Sequence, residues 1–90
     1  MKKHLGIKVF GRVQGVFFRY SAKKEAERLG ILGYAKNIPD GSVEIQAEGE
    51  PENLEELLDW CRRGSKDAKV EDVVFEFSDD IKKFDSFEVK

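Results

Sequence analysis

Apolar residues fall on alternate positions near the start of the chain. Leu5, Ile7 and Val9 are interleaved with Gly6, Lys8 and Phe10, and a period of two predicts a strand with one buried face. The strand runs into Gly11–Gly15, GRVQG, a turn punctuated by two glycines. Phe18, Ala22, Ala26 and Leu29 then recur at helical spacing, with Gly30 as a C-terminal cap. Ser21 is a candidate early capping residue, although Lys24 stands where a capping box wants Glu. Tyr34 to Ile38 reads as a short strand, and Asp40-Gly41 is a turn signal. Val43, Ile45 and Ala47 alternate with Glu44, Gln46 and Glu48, giving a strand with one wet face. Pro51 suits the first position of a helix and Gly64 the place after its end. Between them Leu54, Leu57, Leu58 and Cys61 form one apolar stripe. Acidic residues crowd its start and Arg62 and Arg63 close it, as the helix dipole favours. Val73, Phe75 and Phe77 alternate once more, and Phe87 and Val89, with Phe84 just before them, make a short final strand.

The order β-α-β-β-α-β plus a terminal strand predicts an α+β fold of the ferredoxin-like, split βαβ type: an antiparallel sheet with two helices on one face. A chain of 90 residues fits one domain, residues 1–90. Many functions share that architecture, so function must come from a site.

Composition narrows the classes. Charged residues make up 38% and apolar residues 40%, and the two alternate, as in a folded domain. A net charge of -2 argues against a nucleic-acid binder, which carries a basic excess. No apolar run approaches the roughly 20 residues of a membrane span, and the start has no apolar stretch of the kind a signal peptide uses. The single cysteine cannot form an internal disulfide. These features lead us to expect a cytoplasmic protein. Abundant Lys and Glu, with scarce Asn, Gln, Met and Cys, resemble a heat-adapted composition.

Chemistry concentrates in GRVQGVFFRY, residues 11–20, where Arg19 follows Val16, Phe17 and Phe18. A charge beside that much apolar surface is costly unless paired, so Arg19 has either a protein partner or an anionic one. Glycines let the backbone turn so that several N–H groups converge, and the start of the following helix adds more. A guanidinium there can grip two phosphate oxygens at once. Residues alone leave two alternatives: a cradle for a small dianion, or a tight turn with Arg19 in a structural ion pair.

The segment resembles the first signature of the acylphosphatase family, Gly-x-Val-Gln-Gly-Val-x-Phe-Arg, matched by Gly11, Val13, Gln14, Gly15, Val16, Phe18 and Arg19. A second signature, Gly-aromatic-x-x-Asn followed by Asp/Asn-Gly-x-Val, is matched by Gly33, Tyr34, Asn37, Asp40, Gly41 and Val43. The likeness extends over nearly the whole chain. Phe17 occupies a variable position, often glycine in relatives, and is expected to shape the pocket mouth. The resemblance implies hydrolysis of the carboxyl–phosphate bond of small-molecule acyl phosphates, giving a carboxylate and inorganic phosphate. It implies that Arg19 binds the phosphoryl oxygens, assisted by the backbone N–H groups of Gln14, Gly15, Val16, Phe17 and Phe18, and that Asn37 holds the attacking water. No cofactor and no metal are expected, since no Cys/His/carboxylate cluster has ligand spacing. Inorganic phosphate or sulfate is expected as a product-like ligand, and the protein is expected to be a monomer.

Plainer roles are expected elsewhere. His4, the one histidine, sits at a strand start and reads as a solvated surface residue. Cys61 reads as a small core residue. Trp60 is expected to pack partly against the sheet, and Phe75 and Phe77 to lie in the core. Asn37 could merely cap a strand end. Two rival functions remain open: a phosphate-binding regulatory module without turnover, and an RNA-binding ferredoxin-like domain with a basic sheet face.

Overall fold

Strand β1 (Lys3–Arg12) buries the alternate residues Leu5, Ile7 and Val9, as the period of two requires. A computed structural model, describing residues 1–90, continues with α1 (Phe18–Arg28), β2 (Leu32–Asn37), β3 (Val43–Gly49), α2 (Pro51–Arg63), β4 (Lys69–Ser78) and β5 (Phe87–Val89). The strands form one sheet in the order β4-β1-β3-β2-β5. The four longer strands pair antiparallel, and β5 adds to β2 in parallel. The terminal strand thus makes the sheet mixed.

Both helices cover the face that carries Leu5, Ile7, Val9, Val43, Ile45 and Ala47. Phe18, Ala22 and Ala26 from α1 and Leu54, Leu57, Leu58 and Cys61 from α2 complete the core. Pro51 opens α2 and Gly64 follows its end, at a φ of 78°. Trp60 meets Phe18, ring centroids 5.1 Å apart, so it packs across to the other helix's first residue. Helix α1 starts earlier than a Ser21 cap would put it: Phe17 is the N-cap and makes no side-chain bond, while Ser21 lies inside the helix.

The pairing of β1 with β4 shifts between Phe10 and Gly11. At Gly11, φ is 125° and a Cβ would fall 2.1 Å from the Lys69 carbonyl oxygen. Only glycine fits, and the bulge turns the end of β1 toward the loop that follows.

Two expectations need correction. His4 is buried, not solvated. Its Nδ1 lies 3.0 Å from a Glu48 carboxylate oxygen and its Nε2 2.5 Å from Gln46 Oε1. The Glu48 carboxylate also accepts the N–H groups of Lys82 and Lys83, and Phe84 lies across His4 and against Tyr34. Residues after β4 fold over the sheet face opposite the helices and seal this cluster. Phe75 and Phe77 are 43% and 37% exposed. They stand opposite Ile7 and Leu5, on the helix side, but β4 is an edge strand that α2 covers incompletely. They pack edge-on against each other, and the Arg62 guanidinium lies over Phe75.

Candidate active site

The loop between β1 and α1 is held by its side chains while its backbone donors stay free. Val13 and Phe18 are buried anchors at its two ends. The Gln14 side-chain amide donates to the carbonyls of Ile38 and Ser42, each at 2.8 Å. The Ser65 hydroxyl reaches the Val16 carbonyl at 3.4 Å. Gly15 has a φ of 74°, with nothing within 4 Å of where a Cβ would be. Backbone torsion, not space, therefore calls for glycine there. Two residues on, Phe17 adopts the left-handed conformation, φ 60° and ψ 20°. Such reversals curl a chain so that successive N–H groups can face one side.

No main-chain N–H of residues 14–18 finds a main-chain acceptor. The first turn of α1 leaves further N–H groups unsatisfied, as any helix start does. Anions are favoured at such a place by both the free donors and the helix dipole.

Arg19 lies in that first turn. Its Nη1 donates to the main-chain oxygen of Lys90 at 2.6 Å, and the Lys90 N–H donates to the Ala35 carbonyl at 2.8 Å. The Arg19 guanidinium is therefore aimed by the end of β5, which is itself pinned to β2. No Asp or Glu side chain lies within ion-pair distance of it; its one polar contact in the protein is that main-chain oxygen of Lys90. Val13, Gly15, Phe17, Phe18, Arg19 and Tyr20 line one cavity of about 220 Å³.

Asn37 ends β2, its backbone paired with Val43. It does not line that cavity; nor do Gln14 and Val16. Gln14 supplies the link, because its amide bonds the residues at either end of the turn directly after Asn37. The Asn37 Oδ1 atom is buried and has no hydrogen-bond partner. Buried polar atoms rarely go unpartnered, and each exception calls for an explanation.

Neither Asp40 nor Cys61 is fitted to act as base or nucleophile. The Ser42 hydroxyl and N–H, with Lys8 at 2.9 Å, hold the Asp40 carboxyl down to about 2. Burial pushes the Cys61 thiol up to about 12, which leaves it inert. The side-chain role of Gln14 was missed in the sequence, where it figured only as a backbone donor. Its carbonyl acceptors lie 24 and 28 residues away, with no local signal.

Residues 5–89 match the acylphosphatase family model. An acylphosphatase of Rubrobacter xylanophilus is 50% identical over 82% of this chain and 67% of its own length. One from Methylococcus capsulatus is 50% identical over 76% of this chain and 74% of its own. The crystal structure of the acylphosphatase from Bacillus subtilis superposes with a TM-score of 0.95 at 36% identity, covering 98% of each chain. The chain belongs to the acylphosphatase family, enzymes that hydrolyse acyl phosphates.

Proposed function

We propose that the phosphoryl group of an acyl phosphate is held by Arg19 and by the main-chain N–H groups of Gln14, Gly15, Val16, Phe17 and Phe18, while Asn37 orients the attacking water. The observation that carries this is the run of N–H groups at residues 14–18 without main-chain acceptors, beside a guanidinium that no Asp or Glu side chain engages. Water bound to Asn37 would donate one O–H to Oδ1, which keeps an oxygen lone pair turned toward phosphorus. An acceptor atom, rather than a donor, is what that task needs.

In the step itself the water oxygen bonds to phosphorus as the bond from phosphorus to the acyl oxygen breaks. A carboxylate leaves with the bonding pair. Its conjugate acid has a pKa of about 4, so it departs without a strong general acid. The water's proton passes to a phosphoryl oxygen of the substrate. Asp40 cannot take it, since a carboxyl held near 2 is too weak a base at neutral pH. The chain's contribution is then positioning and charge stabilisation, which dominate loose phosphoryl-transfer transition states.

We take residues 1–90 as one domain acting as a cytoplasmic monomer, which sedimentation at working concentration and cell fractionation check. The RNA-binding reading loses its stacking platform, because Phe75 and Phe77 face the helix side. The open sheet face carries Glu44, Glu76 and Asp72 beside Lys8 and Lys36. The test is hydrolysis of benzoyl phosphate, with and without chelator, joined to an NMR titration with inorganic phosphate. Turnover that survives chelation, with shifts centred on residues 14–19, supports the site. Binding without turnover would favour the regulatory module, and shifts elsewhere with an unperturbed loop would refute the cradle.

A further inference from the structure

We infer that Phe17 and Tyr20 form an aromatic collar that binds the acyl group, so that the enzyme prefers aromatic acyl phosphates to acetyl phosphate. The inference rests on the phosphoryl group being held by the loop and Arg19. Phe17 is 74% exposed and Tyr20 58%, yet both line the same cavity as Arg19 and Gly15. Aromatic rings that exposed contribute little to the core. Phe17 is moreover left-handed, a conformation that is costly for any side chain bearing a Cβ and free for glycine. Folding thus gains nothing from a phenylalanine at this position, and strain of this kind gathers at ligand sites.

The cavity's size says what meets the rings. At about 220 Å³ it is smaller than the roughly 300 Å³ at which sites for drug-sized ligands begin. A phosphoryl group takes its polar depth, against the loop and Arg19. The rest of the substrate must leave across the rim, which on this side is Phe17 and Tyr20. An aromatic acyl group can lie against the ring faces there in offset or edge-on contact. The single methyl of an acetyl group offers the rings far less apolar surface.

The test is steady-state kinetics with benzoyl phosphate and acetyl phosphate, together with inhibition by inorganic phosphate. The variants are Tyr20→Ala, Phe17→Ala and Phe17→Tyr. The ratio of kcat/KM for benzoyl over acetyl phosphate should fall about 2- to 10-fold in each alanine variant, the range of one aromatic contact. Phe17→Tyr should retain the wild-type ratio. Because the readout is a ratio, a general loss of activity from a disturbed loop cancels. An unchanged ratio in both alanine variants, with phosphate inhibition intact, overturns the collar alone. A wild-type enzyme that phosphate does not inhibit competitively overturns the cradle and the collar with it.

Discussion

Asn37→Ala should leave the protein as stable as before, or more so, while nearly abolishing catalysis. The Asn37 Oδ1 atom is buried with no protein partner; left unsatisfied it costs about 1–3 kcal/mol, and a water held there offsets only part of this, because immobilising it costs up to about 2 kcal/mol. Alanine removes that cost. Against it stand the lost contacts of a half-buried amide and the lower strand preference of alanine, together up to about 1 kcal/mol. The balance runs from about 0 to +3 kcal/mol, and each kcal/mol moves the melting temperature of a domain this size by about 4–8 °C. The backbone pairing with Val43 is untouched. Catalysis should fall about 10²-fold or more, by analogy with removing one preorganised polar group from an active site. Phosphate inhibition should stay within a few-fold, since Asn37 addresses the water. The assays are kcat on benzoyl phosphate, inhibition by phosphate, and calorimetry. Near-normal kcat would refute water positioning. A melting temperature lower by more than about 8 °C would refute the idea that the amide is a burden on the fold.

Arg19→Ala should lose turnover and phosphate inhibition together, since charge-assisted bonds are worth about 1.5–3 kcal/mol each, and Lys at this position should not restore the planar grip; kcat and the phosphate inhibition constant check both. Glu48 is pushed up by burial, but the N–H of Lys82, the His4 ring and the N–H groups of Lys83 and Phe84 outweigh this and hold it below the usual carboxylate range. A carboxyl depressed by folding stabilises the protein above its unfolded pKa of about 4.3, and that stabilisation is lost as pH falls through the lower folded value. Glu48→Gln should therefore destabilise at neutral pH, with the gap to wild type closing in acid, as denaturant titrations from neutral to strongly acidic pH will measure. From the Lys- and Glu-rich composition we expect a thermal midpoint above the ordinary range of about 45–65 °C, and a melt inside that range would contradict it.

The sequence made the local geometry of the site legible and left its long-range ties hidden. Glycines at 11 and 15, the helix beginning beside Arg19, and Asn37 closing a strand all follow from short patterns. Each is fixed by backbone torsions or by the face a strand buries. The Arg19–Lys90 bond and the Gln14 bonds across to Ile38 and Ser42 join segments far apart in the chain, and periodicity carries no record of such pairings. His4 was misjudged for the same reason: its burial comes from Phe84 and the residues around it, which return over the sheet. Phe75 and Phe77 erred the other way. Alternation gives the face of a strand but not whether that strand ends up at the margin of its sheet.

The bond from Arg19 to Lys90 spans 71 residues and leans on a strand of only three. A growing chain that has emerged as far as β4 already displays Arg19, Asn37 and the loop, but holds nothing to aim the guanidinium. Contacts between distant segments are the slow ones to form, because the intervening chain must be closed first. Turnover should consequently appear only with the docking of β5, after most of the sheet has formed. A refolding reaction followed by acyl phosphate hydrolysis would then report the final closure of the molecule, while circular dichroism follows the earlier assembly of the other strands and helices.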